Sequence, residues 1–180
     1  MPNSAQRTTL SETHQIVGAD IDSLVLTLGG NVPPSSWLVE QQPLWDEIQQ
    51  GYDHDTADTE TIQLPDGTYW VLKQYGRKPY KYVLYNDQIA HIRIWNCQKW
   101  QGGALNKQQV YIDFRSSYIH SFTNAERVAQ VNKFISFFFD SVEGVSAQIT
   151  RMDLHADITS NRMLTYEECM LSLIHISEPT

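Results

Sequence analysis

Between residues 62 and 115 apolar and polar residues alternate with period two, the pattern of strands buried on one face. Ile62-Gln63-Leu64 runs into the turn signal Pro65-Asp66-Gly67 and then into Tyr69-Trp70-Val71-Leu72. Tyr80 to Tyr85 and Ile89 to Trp95 flank Asn86-Asp87-Gln88, a hairpin connection. Val110 to Arg115 alternates again after a Gly102-Gly103 turn. Ile21 to Leu28 reads as an earlier strand closed by Gly29-Gly30. The period becomes helical in two places. Pro33-Pro34-Ser35-Ser36 opens a helix over about 36–50, with Trp37, Leu38, Leu44, Trp45 and Ile48 apolar and Pro43 interrupting it. Thr123-Asn124-Ala125-Glu126 is a capping box. The helix behind it is expected to reach Val142, with Val128, Val131, Phe134, Ile135 and Phe138 on one face and Gly144 as its stop. A strand from Ala147 to Ile158 follows, and Thr165-Tyr166-Glu167-Glu168 opens a further helix. This order predicts an α+β fold, a largely antiparallel sheet with helices packed on one face.

The remaining segments lack periodicity. Residues 1–19 read as a flexible arm, and Gly51 to Thr61, with Asp53, Asp55, Asp58 and Glu60, as a solvated acidic loop without the ligand spacing of an EF-hand. The last ten residues, Leu171 to Thr180, match residue for residue the translation CTG TCT CTT ATA CAC ATC TCC GAG CCC ACG, a transposase-type sequencing adapter. They are expected to be a non-native tail, which leaves 20–170 as one domain whose natural C-terminus is missing.

Composition narrows the class. The chain has 180 residues, 41% hydrophobic and 19% charged, which suits one ordinary globular domain. No run approaches a membrane span, and the N-terminus lacks a secretory signal layout. Cys97 and Cys169 have no metal-like spacing, so a reducing cytoplasm is the expected compartment. A net charge of −8 argues against a non-specific polyanion binder but leaves room for a local basic site.

Chemistry concentrates in Thr150-Arg151-Met152-Asp153-Leu154-His155-Ala156-Asp157-Ile158. Strand alternation predicts Met152, Leu154, Ala156 and Ile158 toward the core and Arg151, Asp153, His155 and Asp157 on the other face. Asp153 and Asp157 would then lie about 13 Å apart with His155 midway, a platform for a divalent ion and for acid–base work, or equally a solvated face laced with Arg–Asp pairs. His91 and Arg93 share a strand face, as do Tyr111, Asp113 and Arg115. Tyrosines interleaved with arginines suit single-stranded nucleic acid; each ring taken singly fits cross-strand packing as well. Lys73, Arg77, Lys78 and Lys81, with Tyr75 and Tyr80 between them, form a basic cluster suited to a duplex backbone or to plain solvation.

The Arg151-x-Asp153-Leu154-x-x-Asp157 strand behind a long helix resembles the replication initiation factor family, the rolling-circle Rep proteins of the Rep_trans type. Ile21 to Leu26 and the tyrosine-rich Tyr80 to Tyr85 resemble that family's N-terminal layout. The likeness spans most of 20–170, but its specific part is Arg151 to Asp157. It implies a degenerate relative of the HUH nucleases, related to some conjugative relaxases, with Asp153-Leu154-His155 where those proteins carry two metal-binding histidines. By resemblance, Asp153, His155 and Asp157 would serve as metal ligands and catalytic groups with Mg²⁺ or Mn²⁺. Arg151, Arg93, Arg115, Lys78 and Lys81 are the candidate DNA contacts. The implied activity is nicking of origin DNA by a tyrosine, which in the family lies C-terminal to this strand, so the chain as it stands is expected to be inactive in cleavage; Tyr166 reads as a packing residue. Double- and single-stranded origin DNA are the implied partners, with a host helicase and a homodimer compatible with the class and no membrane. A non-catalytic DNA-binding regulator and an unrelated protein-interaction domain are the rival classes.

Overall fold

The computed structural model describes the backbone of residues 14–51, 60–97 and 109–160 and the side chains of 20–51, 60–97 and 109–155. The elements in chain order are β1 (His14–Gly30), α1 (Ser36–Gly51), β2 (Glu60–Gln63), β3 (Tyr69–Leu72), β4 (Tyr82–Asn86) and β5 (Ala90–Ile94). They continue with β6 (Val110–Phe114), α2 (Ser116–His120), α3 (Asn124–Phe138) and β7 (Val145–Ser160). The strands form one seven-stranded sheet, β2-β3-β4-β5-β6-β1-β7, and the pairs from β2 through β6 to β1 are antiparallel. The fold is α+β, as the alternation predicts. The chain divides into two compact units, Ile21–Leu154 and Met1–Asp20 with His155–Thr180. Within the second, the described residues are the first turns of β1 and the end of β7. Among the described residues no helix is long and apolar enough to cross a membrane.

Alternation decides the core. Leu26 and Leu28 of β1, Val110, Ile112 and Phe114 of β6, Ile92 and Ile94 of β5, and Tyr82 and Leu84 of β4 are buried together with Trp70 and Leu72 of β3. Leu38 and Trp45 of α1 and Phe134, Ile135, Phe137 and Phe138 of α3 cover that face. Aromatic edges lock the layers: Trp45 meets Tyr82 at 5.3 Å, and Phe134 meets Phe114 at 5.4 Å and Trp70 at 6.2 Å. Such edge-to-face pairs add about 0.5–1.5 kcal/mol each beyond the area they bury.

The start of α1 and the end of α3 are fastened to each other. Ser35 caps α1 by accepting from the Leu38 N–H at 3.2 Å, while its hydroxyl donates to the Phe137 carbonyl at 2.6 Å. Phe139 leaves the helix in extended conformation and bridges to Pro34. That is why α3 stops at Phe138 instead of reaching Val142. Its start is the expected capping box of Thr123 and Glu126. Val128, expected on the buried face, is 61% exposed, and Phe137 takes a core position instead.

Pro43 does not break α1. The carbonyl it leaves unpartnered belongs to Val39, which is exposed to water, and Leu38, Gln42 and Trp45 hold the buried side. Gln42 is fully buried, and its amide is spent on backbone: it donates to the Trp95 carbonyl at 2.9 Å and accepts from the Cys97 N–H at 2.9 Å. Burial around Cys97 pushes its thiol up to about 11, so it is a packing residue.

Two expectations need correction. The 1–19 segment is not wholly an arm, because β1 begins at His14. β7 lies at the sheet's edge, and Met152, expected in the core, is 44% exposed, as is Ile149 at 56%. The helices cover the centre of the sheet, and no described residue of β7 is buried. The acidic loop at 53–58, the Gly102-Gly103 turn, the helix opening at Thr165 and the 171–180 tail lie outside the described residues.

Two predictions follow from this packing. Gln42→Leu leaves the Cys97 N–H and the Trp95 carbonyl without partners and should lower unfolding free energy by about 2 kcal/mol or more, read by urea denaturation. Half-buried Gln41→Leu is the control and should stay within about 0.5 kcal/mol. Asp66 joins the β2–β3 turn to Lys133 of α3 at 2.7 Å. Burial would raise the Asp66 carboxyl, but bonds from Lys133 and Thr68 outweigh it and hold the carboxyl below its ordinary value. A depressed carboxylate stabilises the fold above its unfolded pKa and loses that contribution as pH falls through its folded pKa. Asp66→Asn should therefore flatten the loss of stability on the acid side, measured as Tm against pH from neutral to pH about 3.

Candidate nucleic-acid interface

The face of the sheet turned away from the helices carries the polar half of each alternating strand. Register sets two rows across it. Val71, Tyr85, His91, Asp113 and Val25 stand opposite one another from β3 to β1, and Val83, Arg93, Tyr111 and Thr27 form the next row. The four residues His91, Arg93, Tyr111 and Asp113, paired by face in the sequence, thus meet across β5 and β6. The rows are two residues apart along each strand, roughly 7 Å.

The rings on this face are organised around cations. Arg93 lies over Tyr111 with its guanidinium 4.4 Å from the ring centre, and Tyr80 packs on the same ring at 6.2 Å. Lys73 lies over Tyr85 at 4.8 Å, and Tyr85 meets His91 edge-on at 4.1 Å. Burial raises the Tyr80 hydroxyl above its ordinary value, so it stays protonated. Tyr69, on the same face of β3 as Val71, is 66% exposed, and Tyr75 in the β3–β4 loop is 67% exposed. Tyr69 escaped sequence reasoning. Its only signal is its place one residue before the buried Trp70.

The loop from 73 to 81 is shaped by Gly76. A Cβ there would run into the backbone carbonyls of Tyr80 and Lys81, so only glycine lets the loop close on itself. The chain then changes phase, with Tyr80 on the outer face and Tyr82 in the core. Between them Lys81 turns toward α1, where Asp46 takes its ammonium at 2.6 Å. Lys81, a candidate DNA contact, is therefore committed to the helix side. Lys78 is exposed on the turn.

Arg115 is partly committed as well. It donates to Asp87 at 2.9 Å, and the same nitrogen lies against His91 Nε2. The Arg115 bond, with a smaller contribution from His91, holds the Asp87 carboxyl below its ordinary value. The face is thus polarised along its strands, with Asp87 and Asp113 toward one end and Arg93 with Lys73 toward the other.

β7 gives a different picture. Arg151 forks onto Asp153, with Nε at 3.1 Å from one carboxylate oxygen and a shorter contact to the other, and Asp153 in turn keeps the guanidinium firmly protonated. Both groups are partly exposed, and such pairs contribute about 0–1 kcal/mol. Both Asp153 oxygens are engaged by Arg151. His155 is half-buried, and the Asp157 side chain lies outside the described residues. Asp22 and His120, by contrast, stand 3.9 Å apart beside the Ile21 carbonyl that His120 contacts at 2.8 Å. Of the expected Asp153–His155–Asp157 ligand set, the described side chains are Asp153, paired with Arg151, and His155.

No protein-family model, curated protein or solved structure matches the chain.

Gly76→Ala should open the 73–81 loop, speeding limited proteolysis there and lowering Tm by several degrees; an unchanged cleavage pattern would contradict the close approach. Asp153→Ala, in contrast, should change stability by less than about 1 kcal/mol in a urea titration.

Proposed function

We propose that this chain binds single-stranded nucleic acid on the outer face of its sheet, as the DNA-binding part of a replication initiation protein. The observation that carries the reading is the stack of Arg93 on Tyr111 at 4.4 Å, in a row shared with the cations at the β3–β4 loop. A guanidinium held over a ring is positioned before any ligand arrives. It presents one planar face to a nucleobase and its N–H edges to a phosphate. Exposed Tyr69 and Tyr75 supply further stacking surfaces, which every base can use. The net charge of −8 supports a local, strand-tracking contact over non-specific polyanion binding.

The initiator assignment rests on the resemblance of Arg151 to Asp157, and with it the single strand is origin DNA and the fold a degenerate HUH relative. The nicking step that the resemblance implies would draw on Asp157 and a downstream tyrosine as well, which lie outside the described side chains. On this reading the chain contributes binding and strand alignment. A protein-interaction domain would use the same face as a solvated surface, with no dependence of ligand binding on Arg93.

Arg93→Ala removes both a stacking plane and a phosphate contact. Binding of an oligothymidylate, followed by fluorescence anisotropy, should weaken by roughly tenfold, and the slope of log K against log[salt] should shrink by about 0.7. Arg115→Ala, whose guanidinium is spent on Asp87 and His91, should change affinity less. Equal affinity for wild type and Arg93→Ala would sink the proposal.

A further inference from the structure

The β3–β4 loop folds over the end of the outer face and leaves a cleft of about 260 Å³ between them. Its walls are Lys73, Tyr75 and Arg77 of the loop and Tyr85 and Arg93 of the sheet, with Val83 as an apolar floor. The volume falls below the roughly 300–1,000 Å³ of pockets for larger ligands, so the cleft suits a small group.

The charge distribution around it is unusual for an acidic protein. Four of the described cations elsewhere are matched with acids: Lys81 with Asp46, Arg115 with Asp87, Lys133 with Asp66 and Arg151 with Asp153. Among the described residues no carboxylate is within ion-pair reach of Lys73, Arg77 or Arg93. These three converge on one concave site. Like charges gathered without an acid repel one another, and an anion seated among them relieves that cost. Two of the three are already oriented by rings, Lys73 over Tyr85 and Arg93 over Tyr111, so little side-chain freedom is lost when an anion arrives.

We infer that this cleft is a nucleotide subsite, in which Lys73, Arg77 and Arg93 hold one phosphate and the exposed ring of Tyr75 stacks on the adjoining base. The inference rests on the single-strand reading of the same face and adds to it where the strand is gripped. Chemistry supports the two halves of the site separately. Three cations of two kinds take a phosphate, by charge from Lys73 and by directed N–H bonds from the arginines. A phenol 67% exposed at the rim has no packing duty and offers its face to a base.

The same phosphate chemistry is offered by a strand and by a free nucleotide, and the test separates them. The full chain is titrated with a fluorescein-labelled oligothymidylate of roughly twelve nucleotides, within the span of single-strand binding folds, at several salt concentrations. Thymidine 5′-monophosphate and thymidine serve as competitors. The Lys73→Gln/Arg77→Gln variant should weaken binding and reduce the salt slope by up to about 0.7, the share of the one phosphate held there. Tyr75→Ala should weaken binding roughly tenfold with the slope unchanged. Thymidine 5′-monophosphate should compete and thymidine should not. Arg77→Gln alone, at an exposed position, guards against a folding defect and should lower the slope in the same direction by a smaller amount.

If the double variant binds with wild-type affinity and slope while Arg93→Ala still binds weakly, the subsite is wrong and the interface reading stands. If the oligonucleotide does not bind the wild type, the interface reading falls. The subsite then survives only if thymidine 5′-monophosphate binds and the double variant loses it; absence of both overturns the subsite.

Discussion

A sheet covered by helices on one face only divides every strand between two environments, and this division governs the molecule. In β4, β5 and β6 each second residue enters a core closed by Trp45, Phe134 and Phe138, and burial there leaves no tolerance for charge. The intervening residues must then satisfy themselves on the other face, where those of β4, β5 and β6 are half-buried or buried. A one-residue slip would exchange Ile92 and Arg93, placing a guanidinium against the aromatic core, so the hydrophobic pattern holds the register. The positions of Arg93, Tyr111, His91 and Asp113 relative to one another are consequences of that packing. The site is thus carried on rigid elements.

The use of charge is the second organising feature. Asp46, Asp66, Asp87 and Asp153 each draw one cation into a structural pair, and three of these tie elements distant in sequence. Lys81 and Lys133 hold helices to the sheet, and Arg115 closes the β4–β5 hairpin onto the end of β6. What remains beside the β3–β4 loop is a cationic cluster whose neighbours are rings. Aromatic faces orient a cation without neutralising it, in contrast to a carboxylate, so these groups keep their charge available to a ligand.

Much of this was legible in the alternation. The order of elements, the antiparallel pairing of β2 through β6, the capping box at Thr123 and the shared faces of His91 with Arg93 and of Tyr111 with Asp113 follow from period-two and period-3.6 patterns. The short α2 was not anticipated, because five residues carry no helical period. Periodicity also misassigned Val128 and Met152, since a pattern names a face and not what covers it; the helices end before β7, and Phe137 outcompetes Val128 for the core. Spacing along β7 suggested a metal platform, yet it could not reveal that Arg151 would fold onto Asp153 two residues away. The phase change between Tyr80 and Tyr82 was likewise hidden. It depends on Gly76 letting the loop close, and it sends Lys81 to the opposite face from Lys73.

Cross-linking with a 5-bromodeoxyuridine oligonucleotide tests the central claim most directly, because it reports which face the strand touches without altering any residue. Irradiation of the complex followed by peptide mass spectrometry should place adducts on the outer-face tyrosines, with Tyr75, Tyr69 and Tyr111 foremost. Adducts confined to the helix side, at Trp37 of α1 or Tyr118 of α2, would show that the strand lies elsewhere and would contradict the account.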